Sequence, residues 1–287
     1  MKGIILAGGN GTRLYPLTLA VSKQLLPVYD KPLIYYPLST LMLAGIQDIL
    51  IITAPQSMPL FQSLLKDGQQ WGISITYMMQ PEPKGIAHSL LLAESFIGSS
   101  PVCLILGDNI FYGQGLSGLL QEASRRHEHG ARVFAYYVND PERYGVVSFD
   151  EAGAVRKLVE KPKNPESHFA VTGLYFYDSK AVSMVKRLAP SARGELEVTD
   201  LNQEYLKNNA LHVEILGRGY CWLDAGTHQT LLDAGNYVAT IEKRQGLKVA
   251  CLEEIAWRMG YVTTDAVLRI ARKLKGSYGT YLKGIVS

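Results

Sequence analysis

The first thirteen residues carry an apolar segment, Ile4-Ile5-Leu6, straight into a glycine-rich turn, Gly8-Gly9-Asn10-Gly11, that closes on Thr12 and Arg13. A buried strand feeding such a turn suits an open α/β sheet, in which ligands sit beyond the carboxyl ends of the strands. Glycines leave no side chains between the backbone N–H groups and a guest, and such N–H groups cradle phosphate oxygens. Arg13 adds a planar fork of donors matched to phosphate, and Thr12 adds a hydroxyl. The same residues also fit an ordinary strand-to-helix turn with a surface arginine, so the rest of the chain has to decide.

That chain alternates apolar runs of strand length, at 48–53, 74–79, 101–107 and 132–138, with amphipathic stretches at 37–44, 58–66, 88–96 and 116–128. The alternation predicts an α/β fold, doubly wound and Rossmann-like, with a mostly parallel sheet and helices on both faces. After residue 138 the rhythm changes. Strands are expected at 144–150, 154–160 and 171–178, separated by turn-rich 150–153 and 162–166, as an antiparallel addition over the sheet. From Thr227 onward the pattern is helical: Leu231, Ala234, Val238 and Ile241 recur at three- and four-residue spacing, and further helices are expected at 253–259 and 264–274. No internal repeat or low-complexity tract interrupts this order, which reads as one domain, 1–287, in three parts: 1–138, 139–226 and 227–287.

Composition removes several classes of function. A net charge of +3 from 29 basic and 26 acidic residues is too small and too scattered for a nucleic-acid or membrane footprint. Cys103, Cys221 and Cys251 are odd in number and widely spaced, which supports neither a disulfide framework nor a zinc site and suits a reducing cytoplasm. Met1 leads within a few residues to the first strand, and no apolar run approaches a membrane span, so a soluble cytoplasmic protein is expected.

Two familiar phosphate motifs fail on the opening loop. A Walker-type loop needs Lys and Ser or Thr after its last glycine, where this chain has Thr12 and Arg13; the dinucleotide fingerprint reaches Leu14 where its third glycine belongs. What continues instead is Leu14-Tyr15-Pro16-Leu17-Thr18, then Lys23-Gln24-Leu25-Leu26-Pro27. Here the chain resembles the sugar-nucleotidyltransferase family, whose signature Gly-x-Gly-Thr-Arg-Leu/Met-x-Pro-x-Thr, followed by Lys-x-Leu/Met-x-Pro, is matched at every fixed position. Leu106-Gly107-Asp108-Asn109, Glu160-Lys161-Pro162 and Trp222-Leu223-Asp224-Ala225-Gly226 follow in the expected order.

The resemblance is strongest to members that transfer the dTMP moiety of dTTP to glucose 1-phosphate, giving dTDP-glucose and pyrophosphate. It implies a nucleotide-binding core in 1–138, a sugar-binding part in 139–226 and a helical interface region in 227–287. In such a reaction two anions must meet. Arg13 and a Mg²⁺ ion would neutralise the triphosphate and its leaving pyrophosphate, while Lys23 would stabilise charge developing at the α-phosphate. The attacking phosphate is already ionised, so no general base is required. Asp108 closes an apolar run at the same sheet edge as the glycine loop, and Asp224 follows another short strand. Each alone also fits a turn or helix N-cap; together they suit Mg²⁺, which takes one or two carboxylates plus phosphate oxygens and waters.

The nucleotide would lie on Leu6, Ala7, Gly8, Gly9, Gly11, Thr12, Arg13 and Asp108. Gln80 follows the strand 74–79, and its amide both donates and accepts, matching the carbonyl and N3–H edge shared by thymine and uracil. The resemblance places Gly85 and Gln24 near the same base. It also assigns Glu160 to sugar hydroxyls, Lys161 and Arg193 to the acceptor phosphate, and Asn109, Tyr144, Gly145, Val171 and Trp222 to the sugar pocket. Thymine over uracil rests on resemblance alone, and a UTP-using or other hexose-1-phosphate relative stays open. A non-catalytic regulatory relative would be expected to lose Lys23 or an aspartate, and all are present. Finally, the resemblance implies a homotetramer with an inhibitory nucleotide-sugar site at an interface, matched approximately by Tyr112, Gly113, Arg218, Glu254 and Arg258.

Overall fold

In the computed structural model, which describes residues 1–9, 11–125 and 129–287, thirteen strands appear among the described residues. They are β1 (Lys2–Ala7), β2 (Pro27–Val28), β3 (Lys31–Pro32), β4 (Asp48–Thr53), β5 (Ser74–Met79), β6 (Val102–Leu106), β7 (Asn109–Gly113), β8 (Ala131–Tyr137), β9 (Gly145–Phe149), β10 (Val155–Glu160), β11 (Phe169–Tyr177), β12 (Leu211–Leu216) and β13 (Tyr220–Asp224). The centre of the main sheet is β6-β1-β4-β5, all parallel, with Ile5 opposite Ile51 on one side and Ile105 on the other.

Continuous apolar runs are what such strands need, because both faces are covered. Alternate residues feed two cores. Ile5, Ile49, Ile51, Cys103 and Ile105 pack on one face, with Leu38 and Leu41 of the helix Tyr35–Leu43 and Leu120 of the helix Leu116–Arg125. Ile4, Leu50, Ile52, Val102 and Leu104 pack on the other, with Leu90 of His88–Leu92, Met184 of Ala181–Val185 and Leu201 of Val198–Lys207. The expected helices on both faces are therefore present. The stretch 88–96 divides at Ala93 into His88–Leu92 and Glu94–Ile97, and the last three residues of the helix expected at 116–128 lie outside the described residues.

The later strands depart from expectation in placement. They extend the same sheet and do not lie over it. β11 pairs antiparallel with β6 through Leu174–Tyr177, then leaves it and pairs with β9 through Phe169 and Ala170, so β9 and β10 continue the sheet beyond a fork. β8 belongs to this half too, antiparallel to β11 and parallel to β12. Apolar periodicity reports burial but not the direction of a partner, which is why β8 reads like the parallel strands before it. A separate antiparallel ribbon of β7 and β13 sets Asp224 opposite Asn109. The helices His228–Gln245, Leu252–Arg258, Thr264–Lys273 and Ser277–Ile285 complete the chain. Among the described residues no helix is long and apolar enough to cross a membrane.

Candidate active site

The carboxyl ends of β1, β5 and β6 bring together residues from three distant stretches. After Ala7 the chain turns through Gly8, where a Cβ would stand 2.6 Å from Gln80 Oε1; the missing side chain lets the Gln80 amide, itself only 3% exposed, lie against the loop. Gly11 takes φ +61°, a left-handed conformation that glycine adopts without penalty, and its carbonyl accepts from Thr18 Oγ1 at 2.7 Å. Thr12 and Arg13 begin a single 3-10 turn, Thr12–Leu14, that Leu14 anchors in the core.

A second 3-10 turn, Lys23–Leu25, carries Lys23 and Gln24 inward, 9% and 3% exposed. Lys23 Nζ pairs with Asp108 Oδ2. Burial pushes the Asp108 carboxyl up, but the charge and hydrogen bond of Lys23, with the Asn109 amide, outweigh it and hold the group below the usual carboxylate range. Asn109 is a framework residue: Nδ2 donates to Asp108 Oδ1 at 2.9 Å, while Oδ1 accepts from Trp222 Nε1 at 2.6 Å and from Gly173 N at 3.1 Å. Gly173 sits in the fork of β11, outside the register with β6, and Asn109 takes the N–H that the fork leaves over.

Asp224 stands at the end of the neighbouring ribbon strand, accepting from Tyr144 Oη at 3.1 Å and from Arg143 Nη2 at 3.4 Å. Arg13 stands near it as well: a Cβ on Gly226 would lie 3.3 Å from Arg13 Nη2 and 3.4 Å from Asp224 Oδ2, and the arginine's charge acts on the carboxylate. Burial lifts the Asp224 carboxyl above its ordinary value, and the charge of Asp108 adds to the lift, against Arg143, Tyr144 and Arg13. Asp224 thus feels the charge of Asp108. Both carboxylates and Arg13 line one cavity, the arrangement that a divalent cation shared with phosphate oxygens would need. No group of three or more His, Cys, Asp or Glu able to hold a metal occurs among the described residues. Two carboxylates suffice for Mg²⁺ when phosphate oxygens and water supply the rest.

The fork opens a cavity of about 460 Å³ whose walls include Arg13, Asp108, Tyr144, Glu160, Val171, Trp222 and Asp224. Glu160 accepts from Thr199 Oγ1 at 2.6 Å, and the pair needs Gly145, where a Cβ would stand 2.8 Å from that hydroxyl. Lys161 adopts φ +42°, costly for a residue with a side chain, and donates its N–H to the Tyr144 carbonyl at 2.9 Å. Its ammonium is 3.8 Å from Glu160 and also lines the cavity.

Arg193 reaches Glu160 at 3.3 Å from outside the lining, and Glu197 holds it more closely at 2.8 Å. Gly85 has a conformational reason for its identity: at φ +98° a Cβ would stand 2.3 Å from the Leu196 carbonyl oxygen, where the segment after Gln80 crosses the one carrying Arg193. Sequence reasoning overlooked Arg143 and Thr199. Arg143 adjoins Tyr144, which is a signal; Thr199 opens a polar helix and gives none.

The five residues matched to an interface site fall in two groups. Tyr112 and Gly113 lie in β7, and exposed Arg218 lies in the turn just before β13, the partner strand, with Tyr112 Oη donating to Gln245 Oε1 at 3.1 Å. Glu254 and Arg258 pair on the helix Leu252–Arg258 at 2.7 Å. Among the described residues no hydrogen bond or ion pair joins the groups.

A family model described as nucleotidyl transferase matches residues 2–241. The chain belongs to the nucleotidyl transferase family. A relative from Xanthomonas campestris pv. campestris (strain B100), named glucose-1-phosphate thymidylyltransferase, is 59% identical over 285 residues, covering 99% of this chain and 96% of its own. One of the same name from Mycobacterium tuberculosis (strain ATCC 25618 / H37Rv) is 52% identical over 283 residues, covering 98% of each. Among solved structures, a UDP-glucose pyrophosphorylase complexed with UDP-glucose superposes with a TM-score of 0.72 at 25% identity, covering 85% of this chain and 99% of that one.

Proposed function

We propose that the chain catalyses transfer of dTMP from dTTP to α-D-glucose 1-phosphate, releasing pyrophosphate, by direct attack of the sugar phosphate on the α-phosphorus. The observation that carries this reading is that Arg13, Asp108 and Asp224 line one cavity together with Glu160 and Lys161, while Lys23 pairs with Asp108 from behind that lining. That is one place for two anionic reactants. Relatives of near-full-length coverage named for this reaction support the choice of substrates.

In this scheme the glycine loop and Arg13 hold the triphosphate, with the buried Gln80 amide meeting the base beside Gln24 and Gly85. Asp108 and Asp224 hold Mg²⁺, which supplies charge neutralisation at the phosphates. Lys23 stabilises the charge that develops during displacement. Glu160, aligned by Thr199, accepts from sugar hydroxyls; Asn109, Tyr144, Gly145, Val171 and Trp222 shape the pocket; Lys161 and Arg193 attract the acceptor phosphate. Residues 1–138 serve the nucleotide, 139–226 the sugar and 227–287 an interface. On this reading the enzyme works in the cytoplasm as a homotetramer, with Tyr112, Gly113, Arg218, Glu254 and Arg258 at an inhibitory nucleotide-sugar site.

Pyrophosphate release measured across four nucleoside triphosphates and three hexose 1-phosphates tests the assignment. dTTP with glucose 1-phosphate is expected to give the highest kcat/KM. A tenfold preference for UTP would move the chain to a neighbouring substrate class, and no turnover with any pair would leave a non-catalytic relative.

A further inference from the structure

Each aspartate of the site is paired with a cation. Lys23 holds Asp108, and Arg143 Nη2 lies 3.4 Å from Asp224 Oδ2. Only Lys23 has a task in the scheme above. Arg143 ends the 3-10 turn Pro141–Arg143 and lines the same cavity. Its Nη1 is 2.5 Å from Asp140 Oδ2, its guanidinium carbon lies 5.3 Å from the Tyr144 ring centroid, and Tyr144 Oη donates to the other oxygen of Asp224 at 3.1 Å. Adjacent residues 143 and 144 therefore cover both Asp224 oxygens.

A guanidinium and a divalent ion compete for the same carboxylate lone pairs, so an ion that engages Asp224 displaces Arg143. The displaced guanidinium stays tethered by Asp140 beside Tyr144 and Gly145, at the wall where the sugar phosphate would enter. Arginine suits that second task, because its planar fork grips phosphate as well as carboxylate. We infer that Arg143 is an exchange partner: it holds Asp224 while the metal is absent and, once displaced, binds the phosphate of the acceptor. The inference rests on the transferase reading for its second half only.

The test replaces Arg143 with Met, which keeps an apolar stem without the charge, and with Lys. Mn²⁺ alone is titrated against each protein by electron paramagnetic resonance of the free ion, and KM is measured for both substrates. Arg143→Met is expected to bind Mn²⁺ about three- to tenfold more tightly than the parent, since its competitor is gone, and to raise KM for glucose 1-phosphate about tenfold while KM for dTTP stays within about twofold. Arg143→Lys is expected to restore most of the KM. Mn²⁺ affinity unchanged or weakened in Arg143→Met, or equal rises in both KM values, would overturn the inference. A parent protein that binds Mn²⁺ but turns over no sugar phosphate would overturn the transferase reading, and the Mn²⁺ comparison would still decide the exchange at Asp224.

Discussion

The donor and acceptor sides of the proposed site are built differently. At the donor end Lys23 is 9% exposed and paired with Asp108, and Gln80 is 3% exposed beside Gly8. At the acceptor end the side chains of Lys161 and Arg193 are 47% and 43% exposed. A buried, prepaired cation costs little reorganisation when charge develops, and water screens it weakly. An exposed cation attracts an anion but is screened by solvent and salt. Under the proposed function the contrast suits chemistry at the first end and capture at the second.

The most severe way to break this contrast is Lys23→Ala. Turnover is expected to fall about a hundredfold or more, roughly 2.7 kcal/mol in the barrier, with dTTP affinity within about tenfold. Steady-state kinetics beside calorimetric titration of dTTP decide it, and near-normal kcat would take the chemistry away from the buried end.

Next in size is the structural side of the same pair. Asp108→Asn leaves Lys23 buried without its counter-ion, and loss of about 2 kcal/mol in urea unfolding is expected at pH 7 with metal chelated, below the cost of wholly orphaning a buried charge because the amide still accepts a hydrogen bond. Stability equal to the parent would show that the pairing seen in the structure carries no free energy.

Lys161→Ala sharpens the other half. About a tenfold rise in KM for glucose 1-phosphate is expected, with kcat and KM for dTTP nearly unchanged, and the penalty in binding should shrink as salt is raised. Equal effects on both substrates would mean that the acceptor end is not a separate capture device.

How much of this was legible in the sequence follows from the same physics. β4 and β5 fall at the expected residues, and β6 within one of them: β4 and β6, covered on both faces, are nearly continuous apolar runs, and the edge strand β5 keeps enough apolar residues in SITYMM to read as a strand. Val198–Lys207 and β12 escaped notice: the helix reads Val-Thr-Asp-Leu-Asn-Gln-Glu-Tyr-Leu-Lys, and β12 has an intermediate or exposed residue at five of its six positions. In the site, Gly8, Gly11, Lys23 and Asp108 announce themselves through local spacing. Arg143 and Thr199 act on partners 81 and 39 residues away, a relation that only the fork of β11 and the β7–β13 ribbon create.

The smallest expected effect separates the two aspartates. Asp108 has a folded pKa below the ordinary 3.8, so its contribution to stability is present above that value and is lost as pH falls through the folded one. Asp224 has the opposite sign. Burial, joined by repulsion from Asp108, raises its folded pKa above 3.8, so folding favours the protonated acid; that stabilisation is complete below the unfolded value and is lost as pH rises through the folded one. At pH 7 the ionised Asp224 is therefore a net cost, of the kind binding sites carry for function. Asp224→Asn is expected to raise stability at pH 7 by less than about 1 kcal/mol, part of the relief being offset by the loss of its pairing with Arg143, and to abolish most metal-dependent turnover. Urea unfolding in chelator at pH 7 and again near pH 4 is the measurement, with the gain shrinking at the lower pH as the parent residue takes up its proton. A fall in the pH 7 midpoint as large as that of Asp108→Asn would show that both carboxylates are pinned by their cations alike, and that charge repulsion between them is too weak to register in the fold.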